Sequence, residues 1–400
     1  MAQTNWQPAQ PRSREGASQR VVNDNVEEWH TRATEFHDRL ERNGNTRGAL
    51  ACAAATLERL HRELGAPPMM DRWIDALDRH LTAPNGIPWP EVEPFVFQAG
   101  VAVLGRRPAH PALPLWHARG LACLRGGAAH ADDATRAAHF SFEYAVRGGN
   151  FPLAREIVQR ARARGAQASA DVRAAWHEAE ALEAWLSAEH DRARRAVVGA
   201  LAAGGGYAAW EQGASAALSE GDLAHADVCL AAMARTLDAR RTQDVAHGLF
   251  LAAARAHLGG ENAAATQRLD ECLRLDATNV PAYFTVLWRL GRGHVAIASG
   301  RFRRAGVDLG IVLAHAARHY WCFLQFSALM SRTWLRIRQQ RPIDALEDLH
   351  AAFALARTGA YRNCDPWWDP EAIDDIGRFA RDLPHDRETL SALVARAPLS

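Results

Sequence analysis

One short pattern occurs six times along the chain, and this repetition constrains the fold more than any other feature. Each copy has a helical segment, a turn such as Gly221-Asp222, and then a small residue such as Ala226 in the next helix. These marker alanines are Ala154, Ala193, Ala226, Ala265, Ala305 and Ala345, at steps of 39, 33, 39, 40 and 40 residues. A period of about 40 residues is two helices with their turns. The pattern predicts an all-α fold, an α-solenoid of helical hairpins.

The turns have a physical reason to recur. Glycine adopts the left-handed backbone that ends one helix, Asp or Asn can cap the next, and alanine lets the two helices approach closely. Trp210 lies eleven residues before Gly221, where tetratricopeptide repeats favour tryptophan. The hairpins therefore resemble tetratricopeptide repeats, and this resemblance implies a right-handed superhelix.

The repeats also predict how the chain is organised. We expect a disordered leader over residues 1–24, which are polar and contain several Pro, Gly and Ser residues. Residues 25–135 are expected to form N-terminal helical hairpins, residues 136–360 the repeats of about 40 residues, and residues 361–400 the C-terminal capping helices. No run of eighteen apolar residues predicts a membrane span.

Composition excludes several functions. All 47 basic residues are arginine, so the chain cannot supply the lysine of a phosphate-binding loop or of a Schiff base. The 47 basic and 46 acidic residues nearly balance, which gives no overall field to attract nucleic acid or an anionic membrane. The six cysteines form no C-x-x-C pair, which favours reduced thiols in a cytoplasm. We expect no enzyme activity and no cofactor.

The repeat register predicts a binding groove. In tetratricopeptide-like arrays the first helix of each hairpin lines the concave face, with the residues thirteen, ten, six and three before the turn glycine. Because this register selects polar and aromatic side chains, we expect a protein or peptide partner, or a small inducer, in the groove. The predicted residues are His139, Glu143, Glu178, Glu211, His247, Phe250, His257, His294, Met330 and Trp334.

Two other sets of residues allow alternative interpretations. His315, His319 and Cys322 have the i, i+4, i+7 spacing that places metal ligands on one helical face, and they support an alternative metalloprotein or enzyme. Packing among aromatic neighbours is the other explanation, and we predict no metal there. Trp367 and Trp368, with Asp365 and Asp369, could form a pocket for a cation or sugar. We expect these tryptophans instead to cover the end of the solenoid core.

Four motifs carry a resemblance to a known family. They are Asp71-Arg72-Trp73-Ile74-Asp75-Ala76-Leu77, Pro88-Trp89-Pro90-Glu91-Val92-Glu93, Arg107-Pro108-Ala109-His110-Pro111, and Asn363-Cys364-Asp365-Pro366-Trp367-Trp368-Asp369-Pro370-Glu371. Over residues 45–395 the chain resembles the repeat region of bacterial signal-transduction ATPases of the MalT type. In that family an ATPase module precedes the array and a DNA-binding module often accompanies it.

The resemblance implies a sensor or adaptor role in bacterial signalling or transcription control. Because the chain has no lysine and few residues follow the last motif, we expect neither ATP hydrolysis nor direct DNA binding. We predict a non-enzymatic protein-interaction or ligand-sensing repeat protein. The alternative is the receiver subunit of a split ATPase regulator.

Overall fold

The part of the chain that the structure describes is mostly α-helical. This computed structural model describes residues 15–81, 87–89, 91–126, 131–165, 168–239, 241–275, 279–364 and 369–381, and no strand occurs among them. The helices are α1 (Glu15–Arg42), α2 (Thr46–Leu64), α3 (Met70–Leu81), α4 (Glu93–Arg106), α5 (Leu113–Gly126), α6 (Ala131–Arg147), α7 (Phe151–Arg164), α8 (Ala170–Leu186), α9 (His190–Ala202), α10 (Tyr207–Ser219), α11 (Leu223–Thr236), α12 (Thr242–Leu258), α13 (Asn262–Cys272), α14 (Ala282–Ala298), α15 (Phe302–His319), α16 (Cys322–Arg338), α17 (Pro342–Gly359) and α18 (Pro370–Ala380). The predicted all-α helical-repeat fold is confirmed.

The ends of the predicted organisation fall partly outside this description. Residues 1–14 of the predicted leader lie outside the described residues, whereas residues 15–24 belong to α1. Of the predicted C-terminal capping helices, α18 is described and residues 382–400 are not. Among the described residues, no helix is both long and apolar enough to cross a membrane.

The chain divides into two compact units. The first comprises Met1–Tyr144, Asp238–Val245 and Thr278–Ala282, and the second Ala145–Leu237, Ala246–Ala277 and Tyr283–Ser400. In the first unit, α2 packs on α1, α3 and α4, around a core that includes Leu57, Trp73 and Phe97. The distant segment 279–282 joins this unit through the backbone, because the Ala66 N–H donates to the Asn279 carbonyl at 2.8 Å.

The second unit is built from hairpins of alternating helices. We call the first helix of each hairpin an A helix (α8, α10, α12, α14, α16) and the second a B helix (α9, α11, α13, α15, α17). Within hairpins, α8 packs on α9, α10 on α11 and α16 on α17, while α8 also packs on α10 and α15 on α16. Contacts between successive hairpins are the packing that defines a helical repeat array.

The six predicted turns are confirmed by their backbone. Gly149, Gly221, Gly260 and Gly300 have φ between 69° and 81°, the left-handed region that glycine adopts without steric cost. Ala188 and Gln340 occupy the equivalent turns in the same conformation, with φ of 58°. The turn geometry is therefore kept even where its preferred residue is replaced.

The marker alanines of the six copies are all completely buried, each with 0% of its surface exposed. They lie at the start of α7, α9, α11, α13, α15 and α17, where a larger side chain would separate the helices.

The predicted side-chain caps are present at two of the six turns. Asn150 and Asp222 accept hydrogen bonds from the backbone N–H groups of Leu153 and His225, but the side chains before α9, α13, α15 and α17 make no such bond.

Each of the last two hairpins contains an ion pair that joins its two helices through a buried aspartate. Arg292 and Arg332 each lie eight residues before their turn, and each binds the aspartate eight residues after it, Asp308 or Asp348. Both contacts are bidentate, with N···O distances of 2.6–2.8 Å, and both carboxylates are at most 3% exposed. A lysine could not make this planar two-bond contact, so the arginine-only composition suits it.

Candidate functional site

The predicted groove residues differ widely in exposure. His139 and Glu143 lie on α6 and are half-buried; both belong to the first unit. In the second unit, Glu178 on α8 and Glu211 on α10 are also half-buried. The other six are buried, namely His247, Phe250, His257, His294, Met330 and Trp334. In the second unit the register brings its polar members into two separate clusters.

The first group, which we call the acidic cluster, consists of Glu178, Glu211 and His247. They come from three successive A helices, α8, α10 and α12. Oε1 of Glu211 lies 3.2 Å from Nε2 of His247. Burial and, to a smaller extent, the nearby charge of Glu211 together raise the pKa of the Glu178 carboxyl to about 7. Glu178 is therefore a carboxyl that changes charge near neutral pH.

Aromatic rings and a glycine turn surround the acidic cluster. The ring of His247 stacks on Phe250, with centroids 5.2 Å apart, and meets Phe284 edge-on at 5.3 Å. A Cβ atom at Gly205, in the turn between α9 and α10, would lie 3.1 Å from Oε1 of Glu178. Nδ1 of His247 is buried and has no hydrogen-bond partner within the part of the chain that the structure describes. The cluster therefore keeps unsatisfied hydrogen-bonding capacity beside two carboxylates.

The second group, which we call the histidine latch, consists of His257, His294 and Asp369. Nε2 of His257 lies 2.8 Å from Oδ2 of Asp369, and Nε2 of His294 lies 3.4 Å from the same oxygen. Asp369 is the N-cap of α18, because its Oδ1 accepts a hydrogen bond from the Ala372 N–H at 2.7 Å. The latch thereby joins the start of α18 to the A helices α12 and α14.

Burial and charge act in opposite directions in the latch. Burial alone would raise the pKa of the Asp369 carboxyl, but the hydrogen bonds and charges of His257 and His294 outweigh it and hold the pKa well below its usual range. Burial lowers the pKa of His294, and the attraction of Asp369 offsets this only in part. The latch is therefore a compensated, buried polar cluster, unlike the acidic cluster.

Helix α18 lies against α16, the helix that carries the predicted groove residues Met330 and Trp334. It packs on α16, and Nε1 of Trp334 donates to Oδ2 of Asp375 at 3.0 Å. The Trp334 ring also lies against His294, with centroids 4.9 Å apart. Trp334 and Met330 are completely buried, so neither offers accessible surface to a ligand in this structure.

Sequence reasoning did not find the partner of the two histidines. It selected His257 and His294 from the register, and it placed Asp369 with Asp365, Trp367 and Trp368, three residues that lie outside the described part of the chain. The Asp-Pro-Glu order marks Asp369 as a helix N-cap. Its pairing spans 112 and 75 residues, however, and no local pattern reveals it.

The expected single-helix arrangement of His315, His319 and Cys322 is wrong. Helix α15 ends at His319, Tyr320 takes the left-handed conformation with φ of 56°, and Cys322 begins α16. His315 is exposed, and the His319 ring stacks on Trp321 at 4.7 Å. Among the described residues, the side chains close enough to share a metal ion are His257, His294 and Asp369, and His37, Asp38 and Glu41.

Comparisons with known proteins complete the description of the site. No family model matches the chain, and no curated protein matches it. Among solved structures, a Rap protein complexed with Competence and Sporulation Factor is 12% identical, with 94% of this chain and 96% of that chain covered and a TM-score of 0.38. A circular tandem repeat protein with novel repeat topology is 14% identical, with coverages of 94% and 89% and a TM-score of 0.16. At such low similarity, neither match bears on what this chain binds.

Proposed function

We propose that this chain is a non-enzymatic protein-interaction module that binds a basic peptide segment at the acidic cluster. The observation that carries the proposal is the approach of Glu178 and Glu211 on successive A helices, close enough that one charge raises the pKa of the other carboxyl. Such like-charge pairs are costly unless a cation joins them, and perturbed carboxyls of this kind are frequent at functional sites.

The surroundings suit an arginine or lysine side chain. The carboxylates accept hydrogen bonds from a guanidinium or ammonium group. The half-buried ring of Phe284, which meets His247 edge-on, provides apolar surface near them. The cluster is half-open at Glu178 and Glu211, whereas α18 covers the corresponding face of α16. A peptide is therefore expected along α8, α10 and α12 rather than over the whole array.

The resemblance to MalT-type regulators supports the finer part of this proposal. It makes the module a sensor or adaptor in bacterial signalling or transcription control, acting in the cytoplasm through a protein, peptide or small inducer without contacting nucleic acid directly. Helical repeats suit this role because each hairpin contacts its neighbours, so a ligand bound across several hairpins changes their relative rotation.

The direct test is fluorescence anisotropy with a labelled peptide of alternating Arg and Ala, and the same peptide with Glu in place of Arg as the comparison. We expect the basic peptide alone to bind, and the Glu178→Gln/Glu211→Gln variant to bind it at least about tenfold more weakly, a difference of about 1.4 kcal/mol. The matched control, Glu27→Gln/Glu347→Gln, removes two exposed carboxylates elsewhere and should bind as the parent does.

A pH series sharpens the test. Because Glu178 ionises with a pKa of about 7, affinity for the basic peptide should rise between about pH 5.5 and about pH 8. Equal affinity for both peptides, or binding that the double variant leaves unchanged, would contradict the proposal.

A further inference from the structure

The histidine latch has the donor set of a metal site. Nε2 of His257, Nε2 of His294 and Oδ2 of Asp369 all lie within 4.8 Å of one another. Two imidazole nitrogens and one carboxylate oxygen are ligands that zinc and related first-row metals accept. The three ligands come from α12, α14 and the N-cap of α18, so only the folded chain brings them together.

Each ligand is oriented by a second hydrogen bond on its far side. Nδ1 of His257 lies 2.6 Å from Oδ1 of Asn262, and Nδ1 of His294 lies 3.2 Å from Oγ of Ser331. Oδ1 of Asp369 is occupied by the Ala372 N–H, which leaves Oδ2 facing the histidines. Partners that orient both imidazoles and the carboxylate in this way are the usual outer shell of a metal site.

The hydrogen bond to Asn262 leaves the other ring nitrogen of His257 facing Asp369. The amide oxygen of Asn262 only accepts, so Nδ1 of His257 donates in that bond. Nε2 is then the ring atom directed at Oδ2 of Asp369, 2.8 Å away, and Nε2 of His294 is directed at the same oxygen. A divalent ion at this point would bind both imidazoles and the carboxylate at once.

Burial separates the latch from the other candidate metal ligands. His294 is 1% exposed, His257 6% and Asp369 8%. In the group of His37, Asp38 and Glu41, by contrast, the two carboxylates already pair with Arg72 and Arg79. The latch is therefore the cluster in which a bound ion would gain most from a low-dielectric setting.

We propose that His257, His294 and Asp369 bind one divalent first-row transition metal ion of the zinc class, which fastens α18 to α12 and α14. Three protein ligands leave a coordination position for water or another donor. The site does not depend on the peptide-binding function, since neither Glu178 nor Glu211 takes part, so either proposal can fail while the other holds.

The test uses the full chain prepared without a polyhistidine tag. After the protein is stripped with a chelator, Zn²⁺ is titrated against a chromophoric competitor, and Co²⁺ is added separately to record its visible spectrum. We expect one ion per chain with a Kd below about 1 μM, a higher unfolding temperature with Zn²⁺, and Co²⁺ absorption bands of a low-coordinate nitrogen and oxygen site.

Variants assign the binding to the latch. Asp369→Asn keeps an oxygen that can cap α18 but loses the anionic ligand, and should weaken Zn²⁺ binding about 100-fold or more. Ser331→Ala removes only the hydroxyl that contacts Nδ1 of His294, and should weaken Zn²⁺ binding about tenfold. This variant provides a second test if Asp369→Asn fails to fold. His315→Ala/His319→Ala is the matched control and should retain one full equivalent.

Two results overturn the proposal. One is a Kd for Zn²⁺ above about 100 μM in the parent protein, without any change in unfolding temperature. The other is tight binding that survives both Asp369→Asn and Ser331→Ala unchanged, or that disappears in the His315→Ala/His319→Ala control.

Discussion

The acidic cluster and the two histidines of the latch lie at different predicted groove positions of the A helices, and their electrostatics are opposite. Glu178, Glu211 and His247 lie ten or thirteen residues before their turns, whereas His257 and His294 lie three and six residues before theirs. In the first, the charge of Glu211 raises the pKa of Glu178, and one histidine nitrogen has no partner among the described residues. In the second, two histidines share one carboxylate, and every ligand has a second hydrogen bond. The two clusters differ because of the segment that follows the repeats. This segment supplies Asp369 and α18 to the histidine latch, but its described residues supply no partner to the acidic cluster.

The two clusters differ in whether the chain itself supplies a partner for their polar groups. The A helices α8, α10, α12 and α14 carry polar residues at the predicted groove positions, and such residues are costly to bury without a partner. Where the chain itself supplies the partner, the face is closed and contributes to stability. Where it does not, the face retains unsatisfied charge, and we propose that a second molecule supplies the partner.

The largest expected effect comes from breaking the latch. Asp369→Ala removes the carboxylate that both histidines share and the N-cap of α18, and should lower the free energy of unfolding by about 3–5 kcal/mol. Urea unfolding in the presence of EDTA measures this without any contribution from metal. Asp374→Ala, which removes an exposed carboxylate from the same helix, should change stability by less than about 0.5 kcal/mol. Equal effects of the two substitutions would show that the latch contributes nothing special.

The acidic cluster should respond in the opposite direction. Because the folded state raises the Glu178 pKa from 4.5 to about 7, ionised Glu178 destabilises the fold at high pH. Glu178→Gln should therefore stabilise the protein by about 2 kcal/mol near pH 8.5, a value reduced for partial exposure. The gain should decline as pH falls through 7 and vanish below about 4.5.

Urea unfolding across this pH range measures the gain, with the exposed Glu347→Gln as the control. A stabilisation by Glu178→Gln that is independent of pH would point to packing rather than to charge.

A smaller effect is expected at the outer partner of the latch. Ser331→Ala removes the hydroxyl beside Nδ1 of His294 and should cost about 1 kcal/mol of stability, the usual value for one buried hydrogen bond. Ser299→Ala provides the comparison, because the Ser299 hydroxyl, in the turn after α14, donates to the Val295 carbonyl of that helix. If Ser299→Ala costs as much as Ser331→Ala, the Ser331 bond has no particular part in orienting His294.

The smallest effect concerns the coupling between the two glutamates. Burial is the larger cause of the raised Glu178 pKa and the charge of Glu211 is the smaller one. Glu211→Gln should therefore lower the Glu178 pKa by a fraction of a unit while leaving it above 4.5, as measured by carbon NMR of the labelled carboxyl. An unchanged pKa would mean that the two side chains do not sense each other, and the case for a shared cationic ligand would be lost.

Much of the architecture is readable in the sequence because its causes are local. The positive φ of the turns follows from glycine, and Ala188 and Gln340 could be placed from the period although neither is glycine. The buried marker alanines follow from the close approach of two helices joined by a short turn. By contrast, the end of α15 at Tyr320 was missed, since nothing in the local sequence marks a left-handed residue there.

The sequence by itself determined the repeat and the turns, and its register selected Glu178, Glu211, His257 and His294 as predicted groove residues. Only the tertiary structure decided which of these residues remain accessible. The physical reason is that a helix face depends on neighbours three and four residues apart, whereas covering that face depends on a segment as far as 112 residues away, whose docking energy no local pattern encodes. Asp369 reads as a helix cap in the sequence, and the fold makes it the shared partner of two buried histidines.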